Sequence, residues 1–98
     1  MSNFGITPEH YQWIKKILSA YLPKAKIYVF GSRSRGDQKR YSDLDLAIET
    51  KSPVSTKTLL EIQEQFSEST VPFIVDLVEL SRIEPDFILG IQEDLQEF

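Results

Sequence analysis

The stretch FGSRSRGDQKRYSDLDLAIE, residues 30–49, decides how this chain is read. Its second half alternates strictly. Asp43, Asp45, Ala47 and Glu49 fall on one face, and Leu44, Leu46 and Ile48 on the other. That is the pattern of a half-buried strand over Asp43–Glu49. Its first half opens on the end of another strand, Lys26–Phe30 (KIYVF), which is short and apolar. Gly31-Ser32 breaks that strand, and a turn or short helix carries Arg33 and Arg35 to Gly36.

Outward from this segment the chain reads in both directions. Upstream, Thr7-Pro8-Glu9 supplies an N-cap, a first-turn proline and an acid at the positive end of a helix dipole. Tyr11, Ile14, Ile17, Leu18 and Tyr21 form one helical stripe, which Pro23 ends. Trp13 lies off the stripe, on a half-buried or partner-facing side. Downstream, a polar link over residues 50–56 precedes a helix capped by Ser55, with Leu59, Leu60, Ile62 and Phe66 expected on its inner side. Residues 71–80 hold a third strand, mostly FIVDLVEL, and Pro85 opens a last helix to about Gln92. Residues 95–98 are either a short closing strand or a frayed tail. The order α-β-(turn)-β-α-β-α predicts an α/β (α+β) fold with helices packed on a small sheet. Periodicity alone leaves the strand order open.

Composition bounds the function. The chain has 98 residues, 41% hydrophobic and 27% charged, which suits one globular domain over residues 1–98. The absence of cysteine excludes disulfides, thiol catalysis and Cys-containing zinc sites, and a single histidine, His10, excludes sites needing two. The segment MSNFGITPEH is no secretory signal, and no apolar run approaches the ~20 residues of a membrane span. A cytoplasmic location is expected. The net charge of −4 weighs against extended nucleic-acid binding. Within this acidic chain Arg33, Arg35, Lys39 and Arg40 stand against Asp37 alone, a local +3, while residues 84–98 carry five acids and no base. A small basic island suits a compact polyanion such as a nucleoside triphosphate; it equally suits a plain solvated loop.

Aspartate is depleted in strands, yet the sequence places three in them here, Asp43, Asp45 and Asp76. Asp43 and Asp45 leave one face about 6.5–7 Å apart along the strand. Asp76 interrupts an apolar run, Phe73 to Val78, that predicts a buried setting where an unpaired charge is costly. If the two strands are neighbours, about 4.8 Å apart, the three carboxylates converge. Hard oxygen donors without His or Cys suit Mg²⁺ or Mn²⁺. Asp43 and Asp45 by themselves are as well explained by a solvated sheet face. The Gly31-Ser32 turn can admit a phosphate close to the backbone.

Competing motifs fail. Gly31 and Gly36 have P-loop spacing, but Asp37-Gln38 replace Lys and Ser/Thr. An EF-hand from Asp43 lacks its glycine and has Val54 in place of the last Glu. No nucleophile-elbow pattern supports a triad through His10.

Taken together, Gly31-Ser32, a ten-residue spacer, Asp43-Leu44-Asp45 and a later strand acid, Asp76, resemble the signature of the DNA polymerase β-type nucleotidyltransferase superfamily. The quoted stretch is most similar to the minimal nucleotidyltransferases, the MNT proteins. The resemblance implies a nucleotidyltransferase fold with a small mixed sheet. It implies that Gly31 and Ser32 hold the nucleoside triphosphate, that Asp43 and Asp45 bind Mg²⁺, and that Asp76 binds the catalytic metal and helps deprotonate the attacking hydroxyl. Two ions are expected, with Mn²⁺ as an alternative. Arg33 and Arg35 become candidates for phosphate or partner contacts. MNT proteins commonly pair with a helical HEPN-domain protein, and several such pairs act as toxin and antitoxin, the MNT member transferring AMP from ATP to a tyrosine of the toxin. The tail from Asp94 to Phe98 departs from the Gly-containing ending of the family.

The size of the chain adds an expectation: with no extra domain to grip base and acceptor, a partner completes the pocket in a hetero-complex. A different class of function is a binding module that masks a partner protein without catalysis. A third is transfer to a small molecule or an RNA end. Three intact acids favour catalysis, because a pure binder has no need to gather repelling carboxylates.

Overall fold

A computed structural model describes residues 4–98. The elements follow the predicted order. Helix α1 (Pro8–Tyr21) starts where Thr7 Oγ1 accepts from the His10 N–H at 3.3 Å. Strand β1 (Lys26–Phe30) leads directly into a four-residue helix α2 (Ser32–Arg35). Strand β2 (Leu44–Glu49) begins one residue later than predicted, so Asp43 stands just ahead of it. Helix α3 (Thr56–Ser67) is capped by Ser55, as its sequence requires. Strand β3 (Val75–Glu79), a 3-10 turn over Leu80–Arg82, helix α4 (Pro85–Ile91) and the two-residue strand β4 (Gln96–Glu97) complete the chain.

The sheet order is β3-β2-β1-β4. β1 runs antiparallel to β2 and to β4, and β2 runs parallel to β3. Parallel neighbours need a long crossover, and α3 provides it. The sheet is therefore mixed. This arrangement brings the last residue of β1 beside the first residues of β2 and β3, so one end of the sheet collects Gly31, Asp43, Asp45 and Asp76.

The stripe of α1 buries Ile14, Ile17 and Leu18 against Val29, Leu44, Leu46 and Ile48 of the sheet, with Ile62 and Phe66 from α3. Two inward assignments are corrected. Leu60 is 64% exposed, because Ile62 and Phe66 already occupy the core-facing arc of α3. Residues 71–74 precede β3 rather than belonging to it, and Ile74 is 63% exposed.

The tail is a strand, not a frayed end. The Phe98 N–H donates to the Ile27 carbonyl at 2.9 Å. The Phe98 oxygen accepts from the Tyr11 hydroxyl at 2.7 Å and from Lys15 Nζ at 3.2 Å, while its ring lies 4.6 Å from that of Tyr11. A second clasp holds the far end of β3. Buried Glu79 accepts the Val54 N–H at 3.0 Å and pairs with Arg82 at 3.2 Å, and Arg82 Nη2 donates to the Val54 carbonyl at 2.9 Å. No helix is long and apolar enough to cross a membrane among the described residues.

Candidate active site

Gly31 shapes the site. It caps α2 with φ 76° and ψ −155°, a backbone conformation that L side chains rarely adopt. Phe30 is the register partner of Asp45, so the residue after Phe30 passes the Asp45 side chain. A Cβ on Gly31 would lie 2.5 Å from Asp45 Oδ2. Only a bare Cα allows the carboxylate to lie against the turn. The Ser34 and Arg35 N–H groups both return to the Gly31 carbonyl at 3.1 Å. The N–H groups of the first helical residues, Ser32 and Arg33, have no partner within the helix, as at any helix start.

Asp45 is the register partner of Asp76 on the parallel neighbour β3, and Asp43 precedes Asp45 by two residues. Burial pushes the Asp45 carboxyl above its ordinary range, and the charges of Asp76 and Asp43 push it the same way; Arg35 opposes them. Asp45 therefore feels the charge of both other acids. The three remain open: among the described residues, no three acid, imidazole or thiol side chains are drawn together closely enough to enclose a metal ion. Asp76 is exposed, against the buried setting that its apolar neighbours predicted. Its side chain leaves the sheet on the carboxylate side, while Val75 turns into the core.

A groove of about 510 Å³ adjoins Asp43, lined also by Tyr41, Gln63, Phe73 and Ile74. A larger groove, about 700 Å³, lies at the other end of the sheet between residues 21–25 and 50–55 and contains none of these acids. The chemistry belongs to the first end, where the carboxylates, the glycine turn and the basic segment meet.

The nucleotidyltransferase domain family matches residues 12–97, the span that holds all of these elements. The chain belongs to that family. The probable protein adenylyltransferase MntA of Haemophilus influenzae is 39% identical over 86 residues, covering 88% of this chain and 75% of the relative. A crystal structure of a toxin-antitoxin with AMP-PNP matches with a TM-score of 0.69 and 28% identity, over 88% of this chain and 69% of that one. A structure of a tri-AMPylated Shewanella oneidensis HEPN toxin in complex with its MNT antitoxin matches with a TM-score of 0.65 and 25% identity, over 86% and 64%. The chain is thus a nucleotidyltransferase of the MNT kind.

Within this nucleotidyltransferase the sheet brings Gly31, Ser32, Asp43, Asp45 and Asp76 to one end. Arg33 corrects the expectation of a phosphate contact. It is 2% exposed, and its guanidinium is committed inward: Nε to the Ser42 carbonyl at 3.0 Å, Nη1 to the Phe4 carbonyl at 3.0 Å, and Nη2 to the Arg40 carbonyl at 3.4 Å. Its plane covers the Phe73 ring at 4.3 Å. Burial lowers its pKa and the Asp43 charge partly restores it. Arg33 is therefore a positioning residue that secures the loop ending at Asp43. Arg35 is exposed and holds its proton more firmly than usual, because Asp94 and Asp37 accept from it at 2.9 and 3.1 Å.

Sequence reasoning missed this second layer. Asp94 and Gln96 reach α2 from the tail: Ser34 Oγ donates to the Asp94 carbonyl, and Gln96 Nε2 donates to the Ser34 carbonyl at 2.7 Å. Nothing in the local pattern around residue 94 signals a contact some 60 residues away.

Proposed function

We propose that this nucleotidyltransferase transfers AMP from ATP to a tyrosine hydroxyl of a HEPN-type toxin, with which it forms a cytoplasmic antitoxin complex. The observation that carries the reading is the Asp45 carboxylate lying against the bare Gly31 turn, with Asp76 beside it across the β2–β3 pair. A triphosphate held at the turn would then have its α-phosphate over the acids. The adenylyltransferase relative, the AMP-PNP-bound neighbour and the AMPylated toxin complex support the nucleotide, the acceptor class and the partner.

The donor set fits a hard divalent cation. The three groups are carboxylates, and the upward shift of Asp45 comes first from burial and then from repulsion by Asp76 and Asp43, the part a cation would relieve. Asp43, Asp45 and Asp76 would hold Mg²⁺, which when bound supplies charge neutralisation at the phosphates and at the attacking oxygen. The remaining work falls to this chain's own groups. The Ser32 hydroxyl and the free N–H groups after Gly31 bind the phosphate oxygens, with Arg35 at the edge of the basic segment. Asp76, exposed at the outer side of the acids, accepts the acceptor's proton. In-line attack by that oxygen expels pyrophosphate, and catalysis consists of positioning and charge stabilisation.

The test is intact-mass measurement of the recovered partner after incubation with this protein, ATP and Mg²⁺. Gain of AMP units with the wild-type chain, and none with Asp43→Asn or Asp76→Asn at unchanged circular dichroism, is expected. Equal transfer by either variant would refute the assignment.

A further inference from the structure

We propose that Tyr41 of this chain is itself an AMP acceptor, so that the enzyme modifies its own surface beside its active site. The inference rests on the AMP-transfer reading above.

Of the four tyrosines, three are engaged or remote from the acids. The Tyr11 hydroxyl donates to the Phe98 oxygen at 2.7 Å and its ring packs on Phe98. Tyr21 is half-buried and lines the groove at the far end of the sheet. Tyr28 is half-buried in mid-strand, between Ala47 and Glu97. Tyr41 differs on every count. It is 61% exposed, and its hydroxyl makes no hydrogen bond among the described residues. It lines the same groove as Asp43. Two residues of extended chain span at most about 7 Å, which bounds the separation of the Tyr41 and Asp43 backbones, and both side chains line the one groove.

The electrostatics add to the placement. Arg40 lies over the Tyr41 ring, 5.4 Å from its centre, and Lys39 and Arg35 belong to the same basic segment. That segment draws a triphosphate toward the phenol. Arg33 secures the loop from beneath through the Arg40 and Ser42 carbonyls, on either side of Tyr41. The acceptor is thus carried on an anchored loop rather than a free tail.

The step balances as ordinary nucleotidyl transfer. Tyr41 Oη attacks the α-phosphorus of ATP and forms the Oη–P bond. The bond from that phosphorus to the bridging oxygen breaks, and pyrophosphate leaves with its electron pair. The phenol proton passes to the Asp76 carboxylate and then to water.

The experiment uses the full chain alone with ATP and Mg²⁺, followed by intact-mass measurement and peptide mapping. A gain of one AMP unit is expected, mapped to the peptide that begins at Tyr41. It should be abolished in Tyr41→Phe and retained in Tyr21→Phe, both checked for native circular dichroism. No gain on the chain, while the same preparation adds AMP to its recovered partner, would overturn this inference and leave the transfer reading standing. No gain on either protein would remove both. A gain that survives in Tyr41→Phe, or maps elsewhere, overturns Tyr41 as the acceptor.

Discussion

Replacing Asp45 by Asn should make the metal-free protein more stable. Asp45 sits beside Asp76 at the spacing of parallel strands and two residues from Asp43, and it accepts no hydrogen bond among the described residues. Two unit charges about 5 Å apart repel by about 0.8 kcal/mol in water and by about 3 kcal/mol at an effective dielectric of 20. The Asp45 carboxyl is half-buried while Asp76 and Asp43 are exposed, so screening keeps the repulsion near the lower figure. Both neighbours together then cost about 1 kcal/mol, which the amide removes. For a domain of this size that corresponds to a rise of roughly 4–8 °C in Tm.

The dependence on pH has a definite sign. Burial and the neighbouring acids raise the folded-state pKa of Asp45 above its unfolded value. Between those two values the native state holds more protons than the unfolded one, so stability falls as pH rises through that window. The advantage of Asp45→Asn should be full above the window and absent below about pH 3, where both states of the wild type are protonated. Thermal unfolding in EDTA at neutral and acid pH measures it. Adding Mg²⁺ should stabilise the wild type more than the variant, narrowing the gap. If the variant is equally or less stable at neutral pH in EDTA, the acids are not under mutual repulsion and the argument fails.

Other perturbations have distinct signatures. Gly31→Ala meets Asp45 Oδ2 at 2.5 Å and holds a positive φ; it should cost about 1–2 kcal/mol from backbone strain alone, read by urea unfolding, with a larger proportional loss of AMP transfer. Arg33→Met strands three backbone carbonyls and should cost roughly 3 kcal/mol; Arg33→Lys, lacking the fork, should recover little, whereas a phosphate-binding role would have let Lys keep ATP affinity in a titration. Glu79→Ala leaves the Val54 N–H and Arg82 without their acceptor; a loss of about 1–3 kcal/mol is expected, with transfer per folded molecule unchanged.

The fold was legible wherever one local rule decided the outcome. Thr7 and Ser55 each have a single use as helix caps, and the alternation in β2 admits one strand. Periodicity misled where it counts residues without knowing which neighbours exist. Leu60 satisfies the helical stripe, but the sheet meets α3 over a narrower arc. Ile74 extends an apolar run whose strand has not yet begun. Asp76 looked buried because its neighbours are apolar, yet a strand places alternate residues on opposite faces, and the face it takes is the open one. Arg33 was misassigned for the opposite reason. An arginine next to a glycine turn reads as a phosphate ligand, and only the tertiary loop reveals the three carbonyls that claim it.

These exceptions are not scattered. A glycine in a conformation other residues rarely adopt, an acid raised by burial and by its neighbours, and an arginine buried without a carboxylate partner all lie at the meeting point of β1, β2 and β3. Each is unfavourable locally, and each is held by something rigid: Gly31 by the β1–α2 junction, Asp45 by pairing on both edges of β2, Arg33 by three carbonyls and the Phe73 ring. The order across the sheet then assigns the parts. The glycine turn lies at β1, the acids at β2 and β3, and β3 is an edge strand. On the proposed reading, a triphosphate entering from the β1 side would have its reacting phosphorus over β2, leaving the β3 side, with exposed Asp76, for the attacking hydroxyl. Strain retained at this one end, in a chain whose opposite end is clasped by Glu79 and Arg82, is what a site built to be completed by charge from outside requires.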